Sequence, residues 1–324
     1  QQGIGDDSNS GETWGEGHAL ATIQKAINLA KVNSNASNIY VAAGTYEENL
    51  NINSGKKITL LGGYSAAPSE SGPNPAENPV IIDGGGSGRV MTLSLSENIT
   101  IQGFVIQNGM TDERGGGILI DSSVSVTIRS NTIQNCISTE DWGGGIAVAF
   151  SDVIIEDNII QGNQTDVSGG GLSFYGDSLA PCSGSISGNT ITQNSAPYGG
   201  GMIIENADLT ISNNTIQGNA ATEDGGGIDA DNCKSLTIQN NTISDNTAQL
   251  NGGAFSIGDC DSPTIIGNKI TDNTAGFDGG GIFYEYAFGE ISRNYIQENI
   301  AGNWGGGICL YGSGGKIVNN LIYN

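Results

Sequence analysis

Positive charge and imidazole are scarce in this chain. Lysine and arginine together number 11 of 324 residues against 34 aspartates and glutamates, and His18 is the single histidine. A net charge of −23 repels nucleic acid and anionic membrane surfaces, and it suits cations or neutral glycans. One histidine leaves little basis for imidazole-based zinc or triad chemistry. No run is apolar enough to span a bilayer, and no signal peptide is recognisable; Gln1-Gln2-Gly3 reads as a mature end after signal removal. The five cysteines, Cys136, Cys182, Cys233, Cys260 and Cys309, follow no metal-binding spacing. Of seven prolines, Pro68, Pro73, Pro75 and Pro79 crowd between Ser65 and Pro79. That density excludes a central strand and marks a surface excursion.

What is abundant is glycine, 52 residues, and it is ordered. A Gly-Gly-Gly-Ile motif starts at Gly115 and recurs in full or variant form at Gly143, Gly169, Gly199, Gly225, Asn251 (as Asn-Gly-Gly-Ala), Gly279 and Gly305. A matching asparagine stands at Asn131, Asn158, Asn189, Asn214, Asn241, Asn268, Asn294 and Asn320. A second follows five residues later at Asn163, Asn194, Asn219, Asn246, Asn273 and Asn299. Self-similarity at this period denotes a solenoid, and an elongated repeat lets one domain reach this length.

One stretch breaks the pattern. From Ala19 to Val32 the apolar residues Leu20, Ile23, Ala26, Ile27 and Ala30 fall on one helical face. A solenoid end exposes apolar surface, so an amphipathic helix there reads as a cap. Ahead of it, Asp6, Asp7 and Asn9 form either a cation loop or an ordinary Asx turn, the second being the simpler reading. Short strands follow from Asn38 onward. The expected organisation is residues 1–37 as loop and capping helix, and residues 38–324 as one continuous solenoid with an uncapped C-terminal end.

Three segments resemble the start of secreted right-handed parallel β-helix proteins of the pectin-lyase-like superfamily. They are Gly5-x-Asp7-x-Asn9-x-Gly11, Ala21-Thr22-Ile23-Gln24-Lys25-Ala26-Ile27 and Val41-Ala42-Ala43-Gly44-Thr45-Tyr46-Glu47-Glu48. The glycine triplets and N-x-I-x-x-N repeats are similar to polymorphic outer-membrane and autotransporter-like surface proteins. The resemblance implies an all-β fold, a right-handed parallel β-helix with three short strands per coil and an N-terminal capping α-helix. It also implies an extracellular or cell-surface setting. It is specific for fold and not for activity, since that superfamily includes lyases, hydrolases, adhesins and phage spikes. The pectate lyase motif Arg-x-Pro-x-x-Arg and the polygalacturonase carboxylate motifs are absent from this sequence.

Alternation then assigns the faces of each coil. Ile118, Ile146, Leu172, Met202, Ile228, Ala254, Ile282 and Ile308 should point inward, and so should the Ile of each N-x-I. The asparagines are expected to stack from coil to coil as hydrogen-bonded ladders and to supply left-handed backbone. The outward face of the strand after each triplet mixes acids with aromatics, including Tyr175, Glu205, Asp229, Asp231, Glu285 and Tyr311, with Tyr286 next to it. Aromatic rings and carboxylates together suit sugars, by stacking and by accepting from hydroxyls; the competing reading is that loops or a neighbouring subunit cover the apolar members. The densest polar group is Asp229, Asp231, Asn232 and Lys234, with Asp259 and Asp261 one coil on. Asp231, Asp259 and Asp261 are candidate Ca²⁺ ligands. Asp229, Asp231 and Lys234 are candidate catalytic groups of a polysaccharide lyase or glycoside hydrolase, if the chain is an enzyme. The simpler account of Lys234 is an inter-coil salt bridge to an acid such as Asp261.

Cys233 and Cys260 lie one coil apart. Coil spacing of about 4.8 Å falls inside the window for a disulfide, so the pair is expected to bond in an oxidising compartment, with two stacked thiols as the alternative. The functional expectation is a structural or adhesive β-solenoid that binds polysaccharide or copies of itself, with catalysis on polysaccharide as the alternative.

Overall fold

The computed structural model describes residues 6–10, 19–30, 37–53, 55, 57–65 and 73–323. Within them every named strand pairs in parallel with its counterpart one coil away. The result is ladders of 11, 10 and 11 strands and a fourth ladder of 8 two-residue strands. The first ladder runs from Ser37–Ala42 to Gly314–Val318, the second from Leu50–Asn53 to Ile308–Tyr311, and the third from Gly44–Glu47 to Leu321–Tyr323. The fourth, from Met110–Thr111 to Ile300–Ala301, is an addition to the three expected walls. It forms because the residues just after each second ladder asparagine run straight across the coil before the glycine turn.

The core is a stack of aliphatic columns. Ile133, Ile160, Ile191, Ile216, Ile243, Ile270 and Ile296 are fully buried in the third wall, as are Ile118, Ile146, Leu172, Met202, Ile228 and Ile282 in the second. Each buried side chain of this size contributes about 1.5–3 kcal/mol, and identical neighbours above and below keep the column free of voids. One register differs from the sequence reading. Ile228 pairs with Phe255, not with Ala254, so Phe255 and Ile257 point inward and are fully buried, while Ser256 faces outward. The glycine that adopts a left-handed backbone in that coil is Gly252 (φ 69°), matching Gly225 (φ 68°). Asn251 therefore takes the place of Asp224, and the backbone requirement for a positive φ, not the look of the triplet, sets the alignment.

The asparagine ladders form. Along the first, each backbone N–H and each Nδ2 donates to Oδ1 of the next asparagine, as in Asn214 to Asn241 (2.8 and 3.0 Å). Nδ2 also donates to a carbonyl of the coil below, Ile186 in that case (2.9 Å). The second ladder repeats this from Asn163 to Asn299. These asparagines are buried, so a gap would leave donors unsatisfied on the neighbouring rung. The left-handed residue of the turn, however, is the one before the ladder asparagine: Ser130, Asp157, Gly188, Asn213, Asn240, Gly267, Arg293 and Asn319. The ladder residue itself is not left-handed.

At the N-terminal end α1 covers the first coil over Ile23–Leu29, shorter than the periodic stretch; Lys31 and Val32 lie outside the described residues. Ile23 and Ile27 are its buried face. Thr22 caps it by accepting from the Lys25 N–H, and the Glu48 carboxylate accepts from Ile23 and Gln24 N–H (2.8 and 2.9 Å). Asp7 accepts from the Ala21 and Thr22 N–H groups and the Thr22 hydroxyl. Its oxygens are therefore occupied in fastening the helix start, which matches the turn reading of that loop. Gly5 and Gly11 of the motif lie outside the described residues.

Candidate functional site

The second ladder carries two outward columns with different fates. The first holds Leu119, Ala147, Ser173, Ile203, Asp229, Ser256, Phe283 and Cys309 in register. It is largely covered by the glycine turn of its own coil. A Cβ on Gly225 would come 2.5 Å from the Asp229 Cβ, and Asp229 is only 4% exposed. Ile203 and Phe283 are buried in the same way. The expected exposed mixture of acids and aromatics is thus confined to the second column.

That column reads Asp121, Ala149, Tyr175, Glu205, Asp231, Gly258, Glu285 and Tyr311, one residue per coil. Strand pairing fixes neighbouring rungs at about 4.8 Å. Glu205 and Asp231 are adjacent rungs. The Asp231 carboxylate leans over Gly258, where a Cβ would meet Oδ1 at 2.1 Å; the missing side chain makes room for it. Burial pushes the Asp231 carboxyl up to about 6, helped by repulsion from Glu205, Asp259, Asp224 and Glu285. Burial also raises Glu205, against the pull of Arg114. Asp229 is held well above the usual carboxylate range by burial first, then by Asp231 and Asp224, with hydrogen bonds involving Ser256 and Ala230 opposing. Asp224 is raised by burial as well, although the Asn251 N–H donates to it at 2.7 Å.

Aromatic groups flank these acids. Tyr175 meets Trp142 and Phe150 edge-to-face, at centroid distances of 5.4 Å each, and the Arg114 guanidinium lies 4.5 Å over its ring. Arg114 is also fixed by Asp141 (3.2 Å). Four coils above Glu205, Tyr311 meets Tyr286 edge-to-face at 5.7 Å, and both are exposed. The column thus brings together Tyr175, Glu205, Asp231, Glu285 and Tyr311, with Tyr286 beside them. Sequence reasoning missed Phe150, whose signal was an aromatic at a turn position that most other coils fill with Asn, Asp, Ser or Gly. It also missed that Arg114 and Trp142, on earlier coils, reach Tyr175.

Other expected groups do not converge. Among the described residues no three His, Cys, Asp or Glu side chains are placed to hold a metal ion, so Asp231, Asp259 and Asp261 do not form the expected Ca²⁺ site. Asp231 lies on the strand face, whereas Asp259 and Asp261 are exposed in the turn beyond it. Lys234 is exposed in the equivalent turn and makes no ion pair with Asp261 or another described carboxylate.

The cysteine pair is also corrected. Cys233 and Cys260 are buried free thiols, and Cys260 Sγ accepts from the Cys233 N–H at 3.3 Å. They continue an inward column in which Ser151 Oγ accepts from Ser123 N–H (2.9 Å) and Ser123 Oγ from Ser96 N–H (3.1 Å). In that geometry each side chain accepts from the backbone of the coil below, and the two thiols stack against each other as small buried groups. Thiol counting on the denatured, unreduced protein should give five; three would restore the bridge.

Stacked parallel coils define the class as a parallel β-helix. The model of the right handed beta helix region matches residues 116–294, and the chain belongs to that family. No curated protein matches the chain. Among solved structures it is similar to PfbA, a surface adhesin of Streptococcus pneumoniae (14% identity, 93% of this chain and 87% of that chain, TM-score 0.50). It is likewise similar to a lacto-N-biosidase from Eubacterium ramulus (12% identity, 99% of this chain and 66% of that chain, TM-score 0.50). At such identity these likenesses concern the fold. No helix among the described residues is long and apolar enough to cross a membrane.

Proposed function

We propose that the chain is an extracellular or cell-surface β-helix with an adhesive role, binding a neutral polysaccharide along its second outward column. The observation that carries this is the single line of Tyr175, Glu205, Asp231, Glu285 and Tyr311, held on rigid paired strands. Aromatic rings offer apolar faces to sugar rings, and the carboxylates accept from hydroxyls. A polyuronate would meet like charge in the same place. That a surface adhesin shares the fold agrees with this reading. Affinity electrophoresis against neutral and acidic polysaccharides tests it. A neutral polysaccharide should retard the protein, with Tyr175→Ala or Glu285→Gln weakening retention about tenfold, an effect of about 1.4 kcal/mol. Retention by none of them, or retention indifferent to both substitutions, would overturn it.

A second reading is hydrolysis of the bound glycan, favoured by one observation. Asp231, pushed up to about 6, has Glu205 on the adjacent rung. Two carboxyl groups side by side, one of them shifted up so that it can donate a proton, are the kind of pair glycoside hydrolysis uses. Within this reading Lys234 has no part, because it stands off the strand face, and β-elimination loses its base. Release of reducing ends that is lost in Asp231→Asn, with no unsaturated product, is the expected signature.

A further inference from the structure

The turn residue that follows the outward column adopts a left-handed backbone in most coils. Asn206, Asn232 and Asp259 occupy it with φ of 50°, 56° and 46°, and Gly312 with 57°; these residue types accept that conformation at little cost. In two coils the same position holds an aromatic: Phe150 at φ 49° and Tyr286 at φ 50°. A bulky residue there is strained, and strain that persists at a surface points to a use. Both aromatics do the same thing. Each sits edge-to-face against the column tyrosine of the next coil, Phe150 on Tyr175 and Tyr286 on Tyr311. Leu95 is also left-handed (φ 50°), but its column neighbour on the next coil is Asp121, so no ring pair forms.

Resting on the reading above, we propose that these pairs are two aromatic platforms gripping one extended neutral glycan that runs parallel to the helix axis. Tyr175 and Tyr311 are separated by five strand pairings, or about 24 Å at about 4.8 Å each. Glu205, Asp231 and Glu285 fill the interval with hydroxyl acceptors, the Asp231 carboxylate lying over Gly258. A ligand must therefore be several sugar units long to touch both ends. A short one reaches a single platform and loses the gain from joining two contacts in one molecule. Arg114 closes one face of Tyr175, which fixes that ring and leaves the half-exposed Phe150 and Trp142 as the lower contact surface.

The test pairs binding with stability, using the polysaccharide that retards the wild-type protein and its size-fractionated oligosaccharides. Phe150→Asn and Tyr286→Asn remove a ring and relieve the backbone, as the other coils already do. Each should weaken binding of the long chain about tenfold, and Tyr286→Asn should leave the thermal midpoint unchanged or raise it. Wild-type affinity should rise steeply once the oligosaccharide is long enough to span both platforms. Unchanged binding in both variants, affinity independent of length, or a lowered thermal midpoint in Tyr286→Asn would each overturn the two-platform arrangement while leaving polysaccharide binding intact. If the wild-type protein binds no polysaccharide, the functional reading fails, and this inference with it.

Discussion

Gly226→Ala is expected to prevent stable folding of the repeat around it. A Cβ at Gly226 would lie 2.5 Å from the carbonyl oxygens of both Gly253 and Thr247 and 2.6 Å from the Thr247 carbonyl carbon. All three are backbone atoms, one set in the next coil's glycine turn and the other in the fourth ladder, so no rotamer change can relieve the contact. Gly170 and Gly280 sit in the same crossing, with carbonyl oxygens at 2.5 and 2.4 Å. The second glycine of each triplet is therefore required for close approach, not for a positive φ. Overpacking of this kind costs about 3 kcal/mol or more, a large part of a domain's stability. Gly218→Asn is the contrast: its φ is 64° and nothing lies within 4 Å of an added Cβ, and asparagine tolerates that backbone, so its melt should stay near wild type. Circular dichroism melts of the two variants decide the matter. A Gly226→Ala protein melting as wild type would mean that the coils separate more easily than their hydrogen bonding suggests.

Asp231→Asn is expected to stabilise the protein above pH 6 and to give no gain below pH 4. The folded-state carboxyl is raised to about 6 from an ordinary 3.8, burial being the main cause and neighbouring acids the rest. A carboxyl raised by folding binds its proton more tightly in the folded state. Its contribution is fully favourable below the unfolded value, fades as pH rises from 3.8 to about 6, and leaves a penalty above that. The penalty is on the order of 3 kcal/mol, and an amide of the same shape lacks it. Asp229, raised by burial and by Asp231, acts in the same direction, so part of the gain comes from relieving its repulsion. Thermal midpoints from pH 3 to pH 8 should diverge only across that window. Parallel curves for the two proteins would show that Asp231 is as well solvated folded as unfolded. The retained cost agrees with a carboxylate kept for contact with a ligand.

Much of the fold was legible before any coordinates. The recurring triplets and asparagines gave the coil, because a solenoid repeats its turn chemistry at each corner. Alternation around Ile118, Ile228 and Ile282 gave the buried columns, and the single 3.6-residue pattern placed the cap at Ile23 and Ile27. Hydrogen-bonded asparagine ladders followed from the spacing alone, since identical residues one coil apart must stack. The parallel arrangement then decided what periodicity does not encode. Gly252, not Asn251, took the left-handed position, which moved Phe255 inward and Ser256 out. Asp229 and Asp231 alternate identically in sequence, yet the Gly225 turn covers only the first, because burial of an outward residue depends on which loop crosses it. Cys233 and Cys260 were placed one above the other by their spacing, but whether they bond depends on side-chain direction, which only the packed column fixes. The grouping of Arg114, Trp142, Phe150 and Tyr175, drawn from three successive coils and their turns, came from tertiary structure alone, because ring contacts across coils leave no mark on the local pattern.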